Sequence, residues 1–400
     1  MKPFLVKGMQ MQTISRRSFI KSGVVGAAVG LSGRTGTSGI AQEGQTSPAS
    51  EQVHFLFDGL IQTPLDYSQL LVRICKDRGI KPDTYLAGGS VEELEKTFAK
   101  MLGKESAVFV PTGTLANHLA LRVQCEGKSR ALVQSESHIY RDSVDCVETL
   151  SHLNLVPLAD NKATFTLSQV QNAVQRATDG PFPLHVGAIS IECPVRRMNG
   201  QVFDFEEMKA ISQWARARDI KLHLDGARMF IASAYTGIAP AEYASLFDTV
   251  YVSLYKYFNA ATGAVLAGPK KTVERVAHAR KLFGGGLLQA WPYTAVALHY
   301  ADGFLERFRK AVANAQALFD ALQQDGRIRV EAYPQGTNIC RLQLPNVNAE
   351  QYAVSLRKSG VLVRPPRKGS QELSLFVNES VNRRSASDLA KVFLAALPPK

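Results

Sequence analysis

The chain has 400 residues, 45% of them hydrophobic, and a formal net charge of +12. That length exceeds one compact core and predicts two domains. No apolar run reaches the roughly 20 residues of a membrane-spanning helix, so no stable membrane anchor is expected. Half of the excess positive charge lies in the first 41 residues, before the first acid at Glu43, and the rest is dispersed, which argues against a nucleic-acid partner.

The leader reads as a unit of its own. Ser15-Arg16-Arg17-Ser18-Phe19-Ile20-Lys21 is a twin-arginine pattern, followed by a mildly apolar stretch at 23–31 and small residues at Gly39-Ile40-Ala41. This resembles a Tat export signal over residues 1–41, whichever of Met1, Met9 or Met11 is the start. It implies a periplasmic protein that crosses the membrane already folded, with any cofactor loaded. Residues 42–54 then read as a linker.

The ordered chain is expected from residue 55. Ser90 and Glu93 match a capping box opening a helix with Leu94, Phe98, Met101 and Leu102 on one face. Residues 106–110 read as a buried strand, followed by Pro111-Thr112-Gly113-Thr114-Leu115-Ala116-Asn117 and a helix toward 123. A strand, a glycine turn and a helix start can hold a phosphate on free backbone N–H groups, with Gly113 allowing close approach and Thr112 or Thr114 adding a hydroxyl. An ordinary turn capped by threonine has the same signature. The strand at 131–135 places His138 just beyond its end, where an imidazole can stack on a flat ligand and exchange protons, or make a plain surface hydrogen bond. Strands at 155–158, 185–191, 220–224, 248–254 and 263–268 alternate with helices at 167–177, 205–218 and 270–282. That alternation predicts an α/β fold, a mostly parallel sheet with helices on both faces. Residues 291–324 read as helical. Short strands and helices after 326 suit a small C-terminal α+β domain, which leaves 55–325 as the large domain. The five cysteines are odd in number and lack a CxxC spacing, which fits neither a disulfide framework nor a metal site.

Asp225 and Lys256 both fall at the carboxyl ends of expected strands, the rim where open α/β sheets bind ligands. Each alone has a plain reading, as a helix cap or a solvated charge. Together they match the needs of pyridoxal phosphate, which takes a lysine amine as its covalent tether and a carboxylate beside its pyridinium nitrogen.

In order along the chain, Pro-Thr-Gly-Thr-x-Ala-Asn at 111–117, His138, Leu-His-Leu-Asp-Gly-Ala-Arg at 222–228, Lys256 and Lys-x-x-Gly-Gly-Gly at 281–286 resemble the low-specificity threonine aldolases. These are β-eliminating lyases among the fold-type I pyridoxal-phosphate enzymes, and the resemblance runs from about residue 55 to near the C-terminus. It implies that Lys256 tethers the cofactor, Asp225 meets its ring nitrogen, Gly113 and Thr114 hold its phosphate, and His138 stacks on its ring. Arg228 would bind the α-carboxylate of an amino-acid substrate. Active sites between subunits would follow, in a homodimer or homotetramer.

The sequence departs from the family in its substrate half. Phe57-Asp58-Gly59 lacks the usual Ser or Thr beside the aspartate, and Val195 stands where a histidine near the substrate hydroxyl is usual. Tyr255 precedes the lysine in place of a serine, and Leu288 replaces an arginine after the glycine run. A second carboxylate-binding arginine is missing from 372–375, for which Arg364 or Arg367 is a candidate substitute. The expected reaction is retro-aldol cleavage of a β-hydroxy-α-amino acid to glycine and an aldehyde, with His138 or a water as base. The alternatives are β-elimination, transamination or racemisation of another amino acid, with Lys256 moving the α-proton, and a non-catalytic amino-acid-binding relic.

Overall fold

A computed structural model describes residues 52–398. The expected leader and nearly all of the expected linker lie outside them. The first strand, β1 (Val53–Phe55), begins two residues inside the stretch read as linker, and both Val53 and His54 are buried.

The main sheet has seven strands: β2 (Ser106–Val110), β3 (Arg130–Gln134), β4 (Asn154–Leu158), β5 (Val186–Glu192), β6 (Lys221–Asp225), β7 (Thr249–Ser253) and β8 (Ala264–Gly268). Their order is β2-β8-β7-β6-β5-β3-β4. Only β8 runs antiparallel to its neighbours, β2 and β7. The strands β5, β7 and β8 are buried at every position, which is why each is a near-continuous apolar run. From β3 the chain steps outward to β4 and returns to β5 on the other side. The crevice at that reversal opens between the carboxyl ends of β3 and β5, the usual ligand position in such sheets.

The C-terminal part carries β9 (Arg329–Ala332), β10 (Ile339–Gln343) and β12 (Glu372–Phe376) as an antiparallel sheet, while β11 (Val361–Val363) pairs in parallel with β1. Val53 and Phe55 therefore pack in the core of the C-terminal strands, with Leu342, Leu375 and Phe393. That anchor delivers the next residues, through Asp58, to the crevice of the main sheet.

Two local expectations change. The helical stretch at 291–324 is two helices, Trp291–Ala301 and Phe304–Asp325, broken at Gly303, whose φ of 62° favours glycine. Ser90 does not cap. It lies inside the helix Gly89–Met101, buried, and its hydroxyl meets that of Thr294 at 2.7 Å, tying two helices together. Capping boxes form instead at Thr63 with Asp66 and at Thr166 with Gln169.

Candidate active site

Three strand ends lie in one row. Glu192 on β5 pairs in register with Asp225 on β6, and Asp225 with Tyr251 on β7. Asp225 ends its strand with both oxygens engaged: Oδ1 accepts from the Ala227 N–H at 3.1 Å and Oδ2 from Asn117 Nδ2 at 2.6 Å. Gly226 must be small, because a Cβ there would lie 2.9 Å from the Tyr251 carbonyl oxygen.

Lys256 follows β7 by three residues and is half-buried. Burial, reinforced by the Arg228 charge, brings its amine down to about 7 against the pull of Asp225, Asp58 and Glu192. A large share of the amine is therefore neutral, and so nucleophilic, near neutral pH.

Arg228 and Asp58 form a buried ion pair at 2.7 Å through Nε, and Asn338 Nδ2 donates to the other Asp58 oxygen at 3.1 Å. Burial opposes ionisation of Asp58, but Arg228 and Asn338 prevail and hold its carboxyl below the usual range. Gly59, next in the chain, lies so close to the backbone of Lys256 that any Cβ would collide with its carbonyl. No side chain fits at the position after Asp58.

His138 opens the short helix His138–Arg141. Its backbone N–H donates to Glu192 Oε2 at 2.6 Å, and its Nδ1 lies 3.2 Å from the Ser143 hydroxyl. Burial lowers its pKa, keeping the ring neutral, with Asp225 and Lys256 acting in opposite senses. Glu192 itself, buried and facing Asp225, is pushed up to about 7.

Gly113 begins the helix Gly113–Gln124, and Thr114 is its second residue. The capping hydroxyl belongs to Thr112, which accepts from the Leu115 N–H at 3.2 Å. A Cβ on Gly113 would run into the Tyr251 hydroxyl. Ser253, two residues along the same face of β7, has a buried hydroxyl beside the Tyr251 phenol. The turn thus combines helix-start N–H groups with the Tyr251 phenol and the Ser253 hydroxyl.

Of the two candidate arginines, Arg364 is at the site. Its guanidinium lies 3.8 Å over the Phe376 ring, Nε donates to the Leu56 carbonyl at 2.5 Å, and it feels the charges of Asp58 and Arg228. Arg367 is not brought in: it sits on an exposed loop, and its described contact is its carbonyl accepting from the Ser370 N–H. Val195 is fully buried and supplies no polar group.

Sequence reading missed Asp58 as the partner of Arg228, and it missed Glu192 and Ser253. Glu192 had a visible signal, a carboxylate ending a buried strand beside that of Asp225. Asp58 had none, being 170 positions from its partner.

A mostly parallel α/β sheet with a depressed lysine and a buried acid at the carboxyl ends of neighbouring strands has the arrangement of an enzyme with a covalently held cofactor. The chain belongs to the beta-eliminating lyase family, whose model matches residues 81–343. The low-specificity L-threonine aldolase of Candida albicans is 31% identical over 253 residues, covering 63% of this chain and 67% of that protein. A probable low-specificity L-threonine aldolase 2 of Arabidopsis thaliana is 30% identical over 280 residues, covering 68% and 78%. The crystal structure of a putative L-allo-threonine aldolase from Listeria monocytogenes matches with a TM-score of 0.72 at 24% identity, covering 87% of this chain and 96% of that one. The fold is that of the fold-type I pyridoxal-phosphate enzymes.

Proposed function

We propose that this protein is a pyridoxal-phosphate-dependent carbon–carbon lyase that cleaves a β-hydroxy-α-amino acid to glycine and an aldehyde. The observation that carries the reading is the convergence of Lys256, Asp225 and the Arg228–Asp58 pair on one crevice, in a chain of this family.

The residues present fit the cofactor. The Gly113 turn, where a Cβ would fill the cradle, the Tyr251 phenol and the Ser253 hydroxyl match the acceptor oxygens of a phosphate, with Thr114 adding a hydroxyl at the helix start. The fixed carboxylate of Asp225 suits a protonated ring nitrogen, and the depressed amine of Lys256 suits covalent attachment to an aldehyde. When bound, the cofactor supplies an electron sink for the bond broken at the substrate α-carbon.

The chain's own groups do the rest. Asp58 occupies Nε of Arg228 and so turns the terminal guanidinium nitrogens toward a substrate carboxylate, with Arg364 as the second cation. That grip orients the Cα–Cβ bond. His138, neutral through burial, would stack on the cofactor ring and take the β-hydroxyl proton at Nε2, since Nδ1 faces Ser143. The test is incubation of the purified protein with L-threonine and a panel of β-hydroxy amino acids. Absence of any aldehyde would sink the reading.

The buried Val195, lacking a base, favours one second reading, in which Lys256 moves the α-proton of another amino acid. Pyruvate and ammonia, or a keto acid, without aldehyde would identify it. We also read residues 1–41 as an export leader and the mature protein as periplasmic; cell fractionation after replacing Arg16 and Arg17 by lysine tests this. A homodimer or homotetramer is supported by the exposed Tyr85 and Leu288, joined by a 2.8 Å backbone hydrogen bond, and is checked by sedimentation.

A further inference from the structure

Behind Asp225 lies a line of buried polar side chains that the proposed reaction does not use. His223 is two residues before Asp225 on β6 and so shares its face. Thr249 is the register partner of His223 on β7. Asn117 and Gln124 are seven residues, about two turns, apart on the helix that begins at Gly113, so they share a face above these strands. Asn117, His223 and Thr249 are all at most 1% exposed.

The contacts run in sequence. Gln124 Nε2 lies 2.8 Å from Thr249 Oγ1, Thr249 Oγ1 lies 2.8 Å from His223 Nδ1, and His223 Nε2 lies 2.9 Å from Asn117 Oδ1. Asn117 Nδ2 then donates to Asp225 Oδ2 at 2.6 Å. The directions follow from the Asp225 carboxylate and a neutral His223 ring. A carboxylate only accepts, so the Asn117 amide nitrogen must face it. The amide oxygen then faces His223, whose Nε2 must carry the hydrogen. Burial keeps that ring neutral, lowering its pKa to about 4, so Nδ1 is a bare acceptor and takes the Thr249 hydroxyl hydrogen. Thr249 in turn accepts from Gln124. All four donors point toward Asp225.

We propose that Asn117, His223 and Thr249 are positioning residues that hold the Asp225 carboxylate in one rotamer, and thereby fix how it meets the cofactor's ring nitrogen. The inference rests on the cofactor reading above for its purpose, but not for the chain itself. A one-way donor chain polarises each successive bond, and it keeps the Asn117 amide nitrogen turned toward Asp225. The same helix carries the Gly113 turn at its start, so phosphate site and ring-nitrogen site are held by one element.

The test has two arms. In the cofactor-free protein, nitrogen NMR of the histidines, with the His223 signal assigned by its loss in His223→Gln, should show a neutral ring with hydrogen on Nε2 at pH 7. In Asn117→Ala the tautomers should mix. A charged ring, or hydrogen on Nδ1, overturns the proposal whether or not cofactor binds. In the second arm, Asn117→Ala and His223→Leu should weaken pyridoxal-phosphate binding by about tenfold or more, the loss of one hydrogen bond to a charged group. They should also shift the pH profile of the bound cofactor's absorbance. His223→Gln, which keeps a donor near the Nε2 position, should restore both. Variants that fold by circular dichroism yet keep the wild-type dissociation constant and absorbance profile overturn the proposal. Failure of the wild type to take up cofactor sinks the functional reading instead, and the first arm still decides the relay.

Discussion

Asp58→Asn tests how the site is braced. Asp58 and Arg228 keep only 6% and 10% of their side-chain surface exposed, and Asp58 spends one oxygen on Arg228 Nε and the other on Asn338 Nδ2. An asparagine amide offers one oxygen and one NH2, so whichever way it turns a donor faces a donor. The substitution leaves a buried guanidinium uncompensated, which costs about 3–5 kcal/mol, or at least about two orders of magnitude in the folded-to-unfolded ratio. Because Asp58 is held below the ordinary carboxylate range in the folded state, its contribution is present above the unfolded value and lost only as pH falls through the folded one. The deficit should therefore persist from about pH 5 upward. Urea unfolding of the cofactor-free protein, followed by circular dichroism, gives the free energy. Adding Arg228→Met should recover part of the loss, since it removes the stranded charge. A single variant within about 0.5 kcal/mol of wild type, or a double variant whose cost is the plain sum of the two, would refute the reasoning.

Other outcomes follow from the same geometry. Lys256→Ala should fold, fail to retain pyridoxal phosphate through dialysis and lose aldehyde formation; retention of the cofactor's visible absorbance would contradict the tether. The Lys256 amine, lowered to about 7, loses its proton as pH rises through that value, so the rate of covalent cofactor uptake should climb with a midpoint near 7. A midpoint near 10, the ordinary lysine value, would count against it. Gly113→Ala forces the Tyr251 phenol away and should weaken cofactor binding at least about tenfold, measurable by equilibrium titration. Thr63→Ala should cost about 1 kcal/mol in urea unfolding through its lost cap, and free inorganic phosphate should not restore it.

The elements that local pattern dictates were legible along the chain. Strand β2 and the helix Lys270–Leu282 fall where periodicity and the flanking glycines put them. Asp225 and Lys256 were legible for the same reason. Apolar runs long enough to be buried strands must end at a rim, and the residues next in line must stand on it. Lys256 and Asp225 were recognisable as residue types at chain positions, but the depressed amine is a property of their surroundings, since burial and the Arg228 charge cause it.

What the tertiary structure alone decided are the pairings that cross the chain. Ser90 and Glu93 carry the local signature of a cap, yet the Thr294 hydroxyl, 204 positions away, claims the serine. Val53 pairs with Val361 on β11, and so carries Asp58 to Arg228. The relay from Gln124 to Asp225 gathers one helix and two strands. A hydrophobic period records which way each side chain faces, because that depends only on backbone geometry over a few residues. It does not record which distant face arrives opposite, because that is set by the closure of the whole sheet and the packing around it.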